Sequence, residues 1–218
     1  KPTSVRIPRT GHIIDYGGVF DLWQQLGPMA RRVEDLSLIM PIISGPDYRD
    51  CGCGPVPWPD PARVDLKKLR VAFCRNVGSP EWGGDASEEI KNLVVQAASW
   101  LQEVVASVEE KTPLDALRTL ERVRKSLVNA DGWQFYSRLL ERWGTKNFSP
   151  AVKAHMDQLK PLPTAATASL WEEHDRARSR MLEWMTSYDV LLCPVGRRPA
   201  VPIDGSAEQS GGGVFYNG

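Results

Sequence analysis

Apolar positions at three- and four-residue spacing first appear at Val33, Leu36, Met40 and Ile43, which predicts a helix over 32–44 with one buried stripe. Gly45-Pro46-Asp47 ends it, with glycine just past the last turn and proline beyond. Pro41 inside this helix has no N–H and crowds the Ser37 carbonyl, so a kink is expected there. Leu69–Cys74 is a short apolar run with β-branched and aromatic members, and reads as a strand. Asp85-Ala86-Ser87-Glu88 has the form of a capping box. It opens a helix to about Ala106 with Ile90, Leu93, Val94, Ala97, Leu101, Val104 and Val105 on one face. Val108–Glu110 then reads as a second strand, making a βαβ unit that feeds a largely parallel sheet.

Thr112-Pro113 opens a helical region to about Trp143, with a break at Gly132. A shorter helix follows over 150–159, stopped by Pro161 and Pro163, then a long one over 164–187. Asp189–Pro194 (DVLLCP) reads as a buried strand. Residues 1–28 are rich in Pro, Gly and Thr, Cys51–Pro61 holds several prolines, and the chain from Gly196 onward is Pro-, Gly- and Ser-rich. These are read as loop, surface excursion and flexible tail. The pattern as a whole is α/β, a largely parallel mixed sheet flanked by helices, in one incomplete domain. It divides into a loop and helix segment (1–68), the βαβ unit (69–110), a helical section (111–188), and a strand with its tail (189–218).

Composition narrows the function classes. The 218 residues are 42% hydrophobic, enough for one substantial core or part of a larger one. Charge balances, 27 basic against 27 acidic, with the basic residues scattered, so neither nucleic acid nor an anionic membrane surface finds a footprint. The longest apolar stretch, Leu38–Ile43, is far too short to span a bilayer. Cys51 and Cys53 are too close to bridge comfortably, no CxxC pair occurs, and His12 is distant, so the four cysteines read as free thiols of a reducing cytosol with no metal site. Cytoplasmic placement is therefore expected, and no cofactor.

Three blocks carry a resemblance. They are Lys1-Pro2-Thr3-Ser4-Val5-Arg6-Ile7-Pro8; Gly27-Pro28-Met29-Ala30-Arg31 with Val33-Glu34-Asp35-Leu36; and Gly45-Pro46-Asp47-Tyr48-Arg49-Asp50. In this order and spacing they closely resemble the central part of the amidase signature family, with Val5 where glycine is usual. Tyr188-Asp189-Val190-Leu191-Leu192-Cys193-Pro194 is similar to a later strand of that family, with Cys193 in place of a small residue. The resemblance implies amide hydrolysis by a serine nucleophile, bridged by a second serine in a cis peptide to a lysine base. A hydroxyl of high pKa needs such a positioned proton acceptor, and donors aimed at the oxyanion. In the family those residues precede the KPTS segment, so no catalytic residue is carried over to this chain. A fragment, inactive alone, is the expectation, with a small-molecule amide as substrate of the intact enzyme and the missing part of the fold as its partner, on the same or a second chain. The other reading is a non-catalytic remnant that folds alone and binds a partner or small ligand.

Within the chain the candidates are few. Lys1 and Ser4 read as parts of a turn motif rather than as base and nucleophile. His174, in Trp171-Glu172-Glu173-His174-Asp175-Arg176, reads as part of a solvated, salt-bridged helix face. No HExxH, GxSxG, GxGxxG or Walker pattern occurs. Trp100 and Trp184 are expected in a core or interface. Trp133, Phe135, Tyr136 and Trp143 read chiefly as packing; the resemblance implies that this section helps to shape a substrate entrance. Cys193, Pro194 and Val195, at a strand's C-terminal end, are the substrate-pocket candidates, since open α/β sheets place ligands there.

Overall fold

A computed structural model describes residues 2–3, 6–12, 23–78, 84–144, 147 and 150–200. The chain forms two compact units, one of residues 1–64 and 128–162, the other of residues 65–127 and 163–218.

The second unit holds the sheet. Strands β1 (Arg70–Phe73), β2 (Ser107–Glu110) and β3 (Val190–Leu192) run parallel in the order β2-β1-β3. The central strand is the most apolar, with Val71 and Ala72 buried, as a parallel strand covered on both faces should be. β1 and β2 are joined through helix α2 (Glu88–Leu101), the βαβ unit that the pattern predicts. The start of α2 differs from expectation. Ser87, not Asp85, is the N-cap, its hydroxyl accepting from Ile90 N at 3.4 Å. The preceding residues are held instead by Asn76, whose Oδ1 accepts from Ala86 N at 3.0 Å. α2 also stops at Leu101, five residues early, and buries Val94 and Ala98 while Leu93, Val104 and Trp100 stay exposed. Trp100 is thus not in the core of this chain.

Helices α3 (Leu114–Val128) and α6 (Thr164–Trp184) supply the rest of this unit. Val123 and Leu127 are fully buried, and Cys74, Val77 and Leu117 form a cluster flanked by Leu114, Met181, Leu191 and Cys193. His174 of α6 is buried rather than solvated: Trp171, three residues earlier on the same helix, meets it edge-on at 5.4 Å between centroids. β3 is not the buried strand expected; Val190 is exposed and Leu191 and Leu192 are half-buried.

The first unit contains α1 (Val33–Ile43), α4 (Gln134–Arg142) and α5 (Pro150–Gln158). The break between α3 and α4 falls at Gly132, as the sequence predicts. Gly132 (φ 64°) and Trp133 (φ 58°) are both left-handed, and a Cβ on Gly132 would stand 2.9 Å from Pro161 Cδ. The α1 stripe departs from expectation: only Met40 is buried, and Val33 is exposed.

No described helix is long and apolar enough to cross a membrane.

Candidate functional site

In the second unit, four elements meet at the C-terminal ends of β1 and β3. The Cys74 amide donates to Leu192 O at 2.8 Å and extends the β1–β3 pairing by one residue. The chain beyond β3 is tied to the start of α2 by Ser87 N donating to Arg197 O at 2.9 Å. The chain beyond β1 is tied to α3 by Arg118, whose Nε donates to Gly78 O at 2.9 Å and Val77 O at 3.3 Å. The N-terminus of α2 therefore lies beside the strand ends, the usual ligand side of a parallel sheet.

The three predicted pocket residues behave differently here. Cys193 is half-buried against the Cys74 cluster, and burial, with the neighbouring Cys74, pushes its thiol up to about 12. Pro194 is buried, while Val195 is 76% exposed. Burial thus keeps the Cys193 thiol protonated at neutral pH. Arg197, which the sequence pattern does not single out, is a buried cation just beyond. Its signal is faint, since Arg197-Arg198 lies in a stretch that reads only as tail.

The opposite ends of the same strands carry a clamp. Arg70 grips Asp189 through Nε to Oδ2 (3.0 Å) and Nη2 to Oδ1 (3.1 Å), while the Arg70 amide donates to Oδ2 at 2.8 Å. Arg70 holds the Asp189 carboxyl below its usual range. Asp189 is the acidic member of the Tyr188–Pro194 block, and its work is to pin β3 to β1.

In the first unit, residues at and just after the first motif block meet the third block in one junction. Arg9 donates to Asp50 from its amide (2.8 Å to Oδ2), Nε (3.1 Å to Oδ2) and Nη2 (3.0 Å to Oδ1), and Gly52 N adds 2.8 Å to Oδ1. Arg9 holds the Asp50 carboxyl down at about 2 against the cost of burial. Asp47 Oδ1 accepts from Arg49 N and Asp50 N, 2.9 Å each, which turns the chain through left-handed Tyr48 (φ 60°). The Arg6 carbonyl accepts from Gly45 N at 2.9 Å, and its guanidinium reaches Pro57 O at 3.1 Å over the Trp58 ring. The described part of the first block is therefore tied to the third by the Arg6–Gly45 backbone bond, and Arg9, the residue after that block, adds the carboxylate contacts. Lys1 and Ser4 lie outside the described residues.

The aromatic section is also in this unit. The Trp133 indole donates to Asn129 Oδ1 at 2.7 Å, and Tyr136 and His155 stand 4.9 and 4.5 Å from it between centroids. Phe135 abuts Tyr136 at 5.8 Å, and Trp143 is exposed. Among the described residues no group of three or more His, Cys, Asp or Glu converges as a metal site. No disulfide joins any of the four cysteines.

A family model described as Amidase matches residues 1–217. Among curated relatives, a glutamyl-tRNA(Gln) amidotransferase subunit of Chloroflexus aggregans is 44% identical over 78 residues, 34% of this chain and 15% of that protein. Putative amidase C550.07 of Schizosaccharomyces pombe is 27% identical over 206 residues, 92% of this chain and 37% of that protein. The chain thus spans well under half the length of these relatives. Among solved structures, 6-aminohexanoate cyclic dimer hydrolase in complex with substrate superposes with TM-score 0.71 at 21% identity, over 94% of this chain and 44% of its own. A bacterial aryl acylamidase of the amidase signature enzymes superposes with TM-score 0.67 at 16% identity, over 91% and 41%. Since the family match takes in nearly every residue, and the parallel sheet with its helices is shared with these enzymes, the chain belongs to the amidase family.

Proposed function

We propose that this chain is the scaffold-bearing portion of an amide hydrolase that cleaves a small carboxamide through an acyl-serine intermediate in the cytoplasm. The observation that carries this reading is the family match over residues 1–217. The nucleophile and its proton acceptor come from polypeptide beyond these 218 residues. These residues contribute the β1–β3 strand ends, with Cys193, Pro194 and Val195 as one apolar wall of the acyl pocket.

Physically, a pocket wall of this kind excludes water from the scissile amide and leaves polar contacts to the reacting groups. A half-buried thiol that stays protonated serves this purpose without competing as a nucleophile.

The test is a fluorophosphonate probe, which phosphonylates activated serines, applied to the complete gene product. A single labelled serine outside these 218 residues, with labelling blocked by a competing carboxamide, is expected. Labelling of a serine within them, or of none, refutes the assignment.

A further inference from the structure

Helix α1 has the composition of an interior helix without the surroundings of one. From Leu36 to Ile43 its only polar side chain is Ser37, and a helix apolar on all sides belongs in a core. Yet Met40 alone is buried, with Leu36, Ile39 and Ile43 half-buried beside it. Leu38 and Ile42, one turn apart on the other side, are each 73% exposed. That i, i+4 pair is the ridge one helix offers to the groove of a neighbour. Glu34 and Asp35 stand one turn before it.

Length supplies the occupant. The solved hydrolase that shares this fold is covered to 44%, and the Schizosaccharomyces protein to 37%. In both, more than half of a single polypeptide is additional to what this chain matches. We propose that the Leu38–Ile42 face of α1 is an interior surface of the complete enzyme. It is covered by an apolar element of the amidase fold, carried on the same gene product outside these 218 residues. This inference rests on the functional reading above.

The test places p-benzoylphenylalanine at Leu38 and, separately, at Ile42 of the complete gene product, irradiates it, and sequences the crosslinked peptides by mass spectrometry. Peptides from outside the 218 residues, within the same polypeptide, are expected. Crosslinks within these residues, to a second copy, or to a separate protein overturn the proposal, as does a yield no higher than at solvated Glu88. Oxidative footprinting of the unmodified gene product covers the case in which the bulky substitution perturbs folding. Leu38 and Ile42 should oxidise about tenfold more slowly than exposed Leu66, as covered side chains do; equal rates overturn the proposal. Neither experiment reads hydrolysis. A product that crosslinks as stated but cleaves no amide refutes the functional reading alone, and an active enzyme with freely oxidised Leu38 refutes this one alone.

Discussion

Replacing Asp50 by Asn tests whether the chain just after the first motif block is held to the third block by the Arg9 clamp. The Asp50 side chain is 6% exposed and that of Arg9 14%, so solvent screens the pair little. The carboxylate accepts four N–H donors, three from Arg9 and one from Gly52. Its pKa is lowered from 3.8 to about 2, chiefly by the Arg9 hydrogen bond. That displacement corresponds to about 2 kcal/mol of stability at neutral pH. Asparagine also turns an NH2 toward groups that only donate, which adds about 1 kcal/mol or more. The expected loss is therefore about 3 kcal/mol, at the lower end of what breaking a buried pair costs.

Because the folded pKa lies below the unfolded value, the charge contribution is present above 3.8 and lost as pH falls toward 2. Urea unfolding followed by circular dichroism, repeated across that range, should show the two proteins converging in acid. Hydrogen exchange at the Arg9 and Gly52 amides reports the same event locally. A loss below about 0.5 kcal/mol at neutral pH, the level of an ordinary surface substitution, refutes the clamp. So does a gap between the two proteins that is the same at every pH.

Leu127→Ala, at a fully buried position, should cost about 2–5 kcal/mol in urea unfolding. Gly132→Ala forces a side chain into a left-handed position against Pro161 and should lower the melting temperature, by about 1–3 kcal/mol of stability. At mildly alkaline pH, iodoacetamide should modify exposed Cys51 and leave Cys193, held at about 12, unmodified; equal rates by peptide mapping contradict the buried-wall reading. Asp189→Asn removes the anchor of β3, and faster amide exchange at Arg70 and Asp189 than in the parent should follow; unchanged exchange removes the clamp's role.

Local signals make most elements legible. Gly45, Gly132, Pro161 and Pro163 punctuate the chain where helices end, and the β-branched LRVAFC and DVLLCP runs become β1 and β3. What escapes local pattern is long-range. Asp85 and Ser87 are both good caps, and a hydrogen bond from Ala86 to Asn76, ten residues away, holds the stretch so that Ser87 takes the role. The Trp171–His174 pair has the right helical spacing, but the charges around it mask a buried ring. The apolar residues of α1 correctly predict a helix, yet they also suggest a filled core. Periodicity says which side chains seek burial, not whether this stretch of chain supplies the partner. The same holds for the site: motif residues such as Asp50 and Asp189 are visible in the sequence, and only the structure assigns them to clamps.

The central claim is that these residues are scaffold to an amidase whose chemistry lies outside them. Ammonia release from a panel of simple carboxamides, measured for the 218-residue chain and for the complete gene product side by side, tests it most directly. Turnover by the complete product and none by the chain is the predicted result. Turnover by the chain alone, abolished by a substitution within it, would contradict the claim.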